Sequence, residues 1–133
     1  MNLNSTKKVY LIDDEEDFCQ AFRDAIASRL PELEVHYALS TEAASKDSHF
    51  EDCSLVFIDL RMPQQTGDEF LRELEKKKKF EGKRFIVVSG IVRCETAIPV
   101  GERKETVAVL PKPLDFEKVI TQIVEHFAEA PVE

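Results

Sequence analysis

No stretch of this sequence approaches the roughly 20 consecutive apolar residues that a membrane-spanning helix needs. Met1 to Lys8 is polar and leads directly into a strand-like run, without the apolar core of a secretory signal. Cysteine is scarce: Cys19, Cys53 and Cys94 are odd in number and far apart, and no C-x-x-C pair exists. Neither a disulfide framework nor a cysteine zinc site is suggested, and three reduced thiols fit a cytoplasmic protein. Cys94, in a polar loop-like stretch, is expected to be the most exposed of the three. Positive charge is also short. Lys and Arg number 18 against 26 acids, for a formal charge of −8. Tight nonspecific binding to nucleic acid needs a basic face that this balance does not provide.

What is present suits one globular domain. The 133 residues are 43% hydrophobic and 33% charged. A chain of this length buries about two-thirds of its unfolded surface and needs no staple. No linker, repeat or second domain is read in residues 1–133, whose expected core is about 7–128.

Apolar runs and helical patterns alternate. Val9-Tyr-Leu-Ile12 reads as a strand ending at Asp13, followed by a helix from about Glu16 to Leu30. Phe18, Phe22, Ile26 and Leu30 share one face of that helix at i, i+4 spacing, and Pro31 stops it. Leu33 to Ala38 alternates as a second strand. Ser40 or Thr41 can cap a weakly amphipathic helix to about Ser48. Leu55-Val-Phe-Ile58 is a buried strand ending at Asp59. Beyond Met62-Pro63 and Gly67, a helix over about Asp68 to Phe80 turns Phe70, Leu71 and Leu74 inward. Its Lys76 to Lys79 run reads as a solvated face: cations suit a helix C-terminus, and Glu73 and Glu75 stand four residues before Lys77 and Lys79.

Phe85 to Val88 is a fourth strand, ending at Ser89-Gly90. Pro99 and Gly101 oppose a full helix between Ile91 and Glu105, so a turn or two and then loop is expected there. Val107 to Leu110 is a fifth strand, followed by Pro111-Lys112-Pro113. A last helix over about Leu114 to Ala128 puts Phe116, Val119, Ile120, Ile123, Val124 and Phe127 inward. Strands that are continuous apolar runs and alternate with helices imply a parallel sheet covered on both faces. In such sheets ligands bind at the carboxyl ends of the strands, near the switch in strand order.

The strand ends carry the chemistry. Asp13-Asp14 follows the first strand, Asp59 the third, Ser89 the fourth, and Lys112 stands just beyond the fifth. Any single polar residue at a strand end is ordinary, but three acids, a hydroxyl and a lysine on one rim form a constellation. Carboxylates packed together raise one another's pKa, so positive charge must offset them. Lys112 supplies one charge. An oxygen-only donor set points to a hard divalent ion, and few protein carboxylates with room for water suit Mg2+. Metal, lysine and hydroxyl can hold a phosphoryl group, and a carboxylate can be the nucleophile that forms an aspartyl phosphate.

With these residues in place, the sequence resembles the response-regulator receiver domains, the family of the chemotaxis response regulator. The matching pieces are Asp13-Asp14 after Val-Tyr-Leu-Ile, Asp59-Leu-Arg-Met-Pro63 with Gly67, Ser89-Gly90 and Lys112-Pro113, across nearly the whole chain. The resemblance implies a flavodoxin-like doubly wound α/β fold: a five-stranded parallel sheet of order 2-1-3-4-5, with helices on both faces and a short or irregular fourth helix. It implies that Asp59 is the phosphoacceptor, fed by a histidine kinase or histidine phosphotransfer protein of a bacterial two-component phosphorelay. Mg2+, or Mn2+ in its place, would be held by Asp14, Asp59 and the Arg61 backbone carbonyl, with Asp13 on a metal-bound water. Lys112 would contact the phosphoryl group, Ser89 would swing toward it, and Arg61 and Ile91 would tune its lifetime. The Lys112–Pro113 bond would be cis. Such a domain is a signalling switch rather than an enzyme, catalysing only its own phosphorylation and dephosphorylation. It acts on a downstream protein, on an output domain elsewhere, or as a phosphorylation-dependent homodimer.

One position departs from the family. An aromatic ring usually stands three residues before the lysine; here it is Val109, which has no ring to turn. A phosphorylation-independent binding module therefore stays open as a second reading. An Asp-nucleophile phosphohydrolase is a third, although Arg61 stands where its second Asp would be.

Overall fold

The computed structural model describes residues 7–59, 83–89, 96–99 and 106–128. Its elements, labelled in chain order among these residues, are β1 (Lys8–Ile12), α1 (Glu16–Arg29), β2 (Glu34–Ala38), α2 (Thr41–Ser45), α3 (Ser48–Asp52), β3 (Leu55–Asp59), β4 (Arg84–Ser89), β5 (Thr96–Pro99), β6 (Thr106–Pro111) and α4 (Phe116–Ala128). The sheet runs β2-β1-β3-β4-β6-β5. Its first five members are parallel and stand in the order the resemblance implies.

Period-two alternation splits the strands between two cores. Val9 and Leu11, with Leu55, Phe57, Ile86, Val88 and Leu110, face α1 and α4, where Phe22, Ile26, Val119, Ile120 and Ile123 pack on them. Tyr10, Ile12, Val56, Ile58, Val87 and Val109 face the other way, toward Ala44 of α2 and Phe50 of α3. Burying a side chain of the size of Phe22 or Ile26 contributes about 1.5–3 kcal/mol, so α1 is held by its apolar stripe. No side chain caps its N-terminus; Glu16 and Asp17 complement the dipole there instead.

Three expectations need correction. The helix expected over 41–48 is two short helices. Lys46 ends α2 by donating its N–H to Ala43 O and Ala44 O, and the Asp47 side chain accepts the His49 N–H to start α3. Ser40 does cap α2, accepting the Ala43 N–H at 3.1 Å. Within the stretch expected to be a turn or two of helix, Thr96–Pro99 is a strand, antiparallel to β6 with Ile98 opposite Val107. At the sheet edge the Pro99 nitrogen needs no partner, which is why a proline that opposes a helix is tolerated there. Finally, Val124 is not inward: it is 49% exposed.

The helix expected over 68–80, its lysine run, and Cys94 lie outside the described residues. Cys19 and Cys53 are free and buried. Among the described residues no helix is long and apolar enough to cross a membrane.

Lys83 fastens α3 to the sheet. Its ammonium donates to the carbonyls of Phe50, Glu51 and Cys53 at 2.7, 3.1 and 2.7 Å. Those carbonyls cluster at the end of a short helix, and one flexible cation gathers all three.

Candidate functional site

Parallel register decides where the acids fall. Ile12 of β1 lies opposite Ile58 of β3, and neighbouring strands are about 4.8 Å apart. Asp13 and Asp59 come next in their strands, so they emerge side by side at the carboxyl edge. The chain passes from β1 to β2 on one side and then to β3 on the other, so this edge is the switch in strand order. Ser89 of β4 is in register with Pro111 of β6, and β6 thus delivers Lys112 to the same rim.

There the lysine bridges the two acids. Lys112 Nζ donates to Asp13 Oδ2 at 2.9 Å and to Asp59 Oδ2 at 3.1 Å. It also lies 4.7 Å from the centroid of the Phe18 ring. Asp13 is wholly buried and fixed from several sides. Its Oδ1 accepts the Glu15 N–H at 2.9 Å, and its backbone N–H donates to Ala38 O at 3.2 Å. Its backbone carbonyl accepts from Cys19 Sγ at 3.4 Å. Asp59 is 7% exposed, whereas Asp14 is exposed to solvent.

The electrostatics follow from that geometry. Burial pushes the Asp13 carboxyl above its ordinary range; the Glu15 N–H and Lys112 pull it back, the Asp59 charge adds to the rise, and the net shift is upward. Burial pulls Lys112 down, but the hydrogen bond and charge of Asp13, together with Asp59, outweigh it and raise its pKa. Burial likewise pushes the Cys19 thiol up to about 12, so it is a structural donor and not a nucleophile.

One carboxylate oxygen from each of Asp13, Asp14 and Asp59 lies within 4.8 Å of the others. Such a set, all oxygen, with one member open to water, fits a hard ion that keeps part of its hydration. Of the residues singled out from the sequence, Asp13, Asp14, Asp59 and Lys112 are brought together. Ser89 closes β4 one position beyond Val88, the partner of Asp59, and Arg61 and Ile91 lie outside the described residues. Val109 is buried within β6, opposite Val87. Sequence reasoning missed Phe18 as part of the rim. The i, i+4 pattern marks it as core-facing, and only its place in the first turn of α1, directly after the acidic pair, hints that it reaches the lysine.

Residues 9–124 match the model of the response regulator receiver domain family. The chain belongs to that family. No curated protein matches the sequence significantly. The receiver domain superposes on that of the Francisella response regulator 1452 with a TM-score of 0.73 at 16% identity, over 94% of this chain and 99% of that one. Against Thermotoga maritima TrrA, solved in complex with Mg2+-BeF, the TM-score is 0.66 at 19% identity, over 90% and 97%. Against Vibrio cholerae chemotaxis protein CheY4 it is 0.68 at 17% identity, over 90% and 98%. At such identities these structures speak for the fold, and the family match makes this a receiver domain of the two-component response regulators.

Proposed function

We propose that this receiver domain takes a phosphoryl group onto Asp59 from a histidine kinase or histidine phosphotransfer protein, in a Mg2+-dependent reaction, and that the modification switches its protein contacts. The observation that carries the reading is Lys112 bridging Asp13 and Asp59 beside a third carboxylate. A carboxylate oxygen of Asp59 attacks phosphorus; the new O–P bond forms as the donor's P–N bond breaks, and the imidazole nitrogen keeps the electron pair and takes a proton. Lys112 stands where a phosphoryl oxygen on Asp59 would be met by a cation, and Asp13 holds that cation in place. Asp13, Asp14 and Asp59 are the residues that would hold Mg2+, which would supply the positive charge that three clustered carboxylates and an incoming phosphoryl group require. The domain is its own substrate, and its output is a shift between two arrangements of the rim, driven by roughly 1.5 to 2 added negative charges.

Beryllofluoride, a tetrahedral mimic that bonds to a carboxylate oxygen, tests this reading. The chain has no tryptophan to report binding, so 19F NMR is the suitable readout. A bound fluoride signal is expected only when Mg2+ is present, and none in Asp59→Asn. Absence of a bound signal with Mg2+, or its persistence in Asp59→Asn, contradicts the proposal. Val109 favours a second reading, because a buried valine offers no ring to turn. A domain that signals without phosphate would bind its partner equally well as Asp59→Asn.

A further inference from the structure

We propose that Phe18 is a positioning residue for Lys112, its ring face forming the third wall of the cradle in which the ammonium meets Asp13 and Asp59. An ammonium has three N–H bonds, and at Lys112 the two carboxylates take one each at 2.9 and 3.1 Å. The Phe18 ring, 4.7 Å away, is within the range at which an aromatic face attracts a cation. The ring is itself supported. Its centroid is 6.1 Å from that of Phe22, which is wholly buried and packs at 5.3 Å on Phe57 and 6.0 Å on Phe116. The turn that holds the ring also holds Asp13, because Cys19 next to Phe18 donates to the Asp13 carbonyl. The third N–H can meet a phosphoryl oxygen on Asp59. A ring face, which favours no single oxygen, keeps the ammonium at the rim where that contact forms.

The kinetic arm of the test rests on the phosphoacceptor reading; the spectroscopic arm does not. Phe18→Leu keeps an apolar contact and removes the ring, whereas Phe18→Tyr keeps the face. Capture of phosphate from acetyl phosphate with Mg2+ is expected to slow about fivefold in Phe18→Leu and to stay within about twofold of wild type in Phe18→Tyr. Hydrogen exchange at the Lys112 ammonium, followed by 15N NMR, is expected to quicken in Phe18→Leu only. If Phe18→Leu does not fold, Phe18→Met carries the same expectation. Wild-type capture and exchange in the ringless variant, or equal losses in Phe18→Tyr, would overturn the proposal. Should wild type itself take no phosphate, the phosphoacceptor reading fails and ammonium exchange alone decides the role of Phe18.

Discussion

Lys112→Met is expected to cost about 2–3 kcal/mol of folding stability near pH 7 and to slow phosphate capture about 100-fold. The lysine is the only cation that hydrogen-bonds to both Asp13 and Asp59 among the described residues. Without it, Asp13 keeps only its Glu15 N–H and is left as a buried charge beside Asp59, and removing one partner of a buried pair is costlier than the pair is stabilising. The pH dependence has a definite sign. Burial already raises Asp13 in the folded protein, and loss of Lys112 removes two influences that lower it. A carboxyl whose folded pKa is raised disfavours folding as pH rises through its ordinary value. The stability gap between wild type and Lys112→Met is therefore smallest near pH 4, where the variant's Asp13 carries its proton, and widens toward pH 7. The wild-type lysine acts at the other end: its pKa is raised, so its contribution is complete below the ordinary lysine value and fades as pH rises through the folded one. That alkaline loss is absent from the variant. Urea midpoints at several pH values check both slopes. A gap that is constant from pH 4 to pH 7 would mean that Asp13 does not depend on Lys112.

Asp14→Asn separates metal binding from folding. Asp14 is the exposed member of the three acids, so replacing it by an uncharged isostere is expected to leave stability without Mg2+ within about 0.5 kcal/mol. The same change removes one of the three carboxylates that would hold a hard cation. Mg2+ affinity is expected to fall at least about tenfold, and phosphate capture at fixed Mg2+ about 100-fold, because metal charge in such reactions supplies several kcal/mol of transition-state stabilisation. Calorimetric titration with Mg2+ and the acetyl phosphate rate are the measurements. Unchanged Mg2+ affinity in Asp14→Asn would assign the ion elsewhere.

The parallel strands and the clustered acids and lysine were legible because each is carried by a local pattern. An apolar run that ends in Asp at residues 9–13 and again at 55–59 marks both a buried strand and its functional end, and parallel register does the rest. Less legible were the features decided by contacts between distant segments. Thr96–Pro99 is too short to show a period and contains a proline; only β6 alongside makes it a strand. The break between α2 and α3 depends on the Asp47 side chain choosing the His49 N–H, a choice that propensity alone leaves open. Val124 fits the apolar spacing of α4, yet it stays half exposed in the folded chain. Phe18 was read correctly as facing inward, but its contact with Lys112 spans most of the chain and left no trace in local sequence.

The central claim is that Asp59 accepts phosphate within this cluster. Its most direct measurement is the intact mass of the protein after incubation with acetyl phosphate, with and without Mg2+, beside Asp59→Asn. The account predicts the gain of a single phosphate in wild type, dependent on the ion and absent from the variant. No gain in wild type, or the same gain in Asp59→Asn, would contradict it.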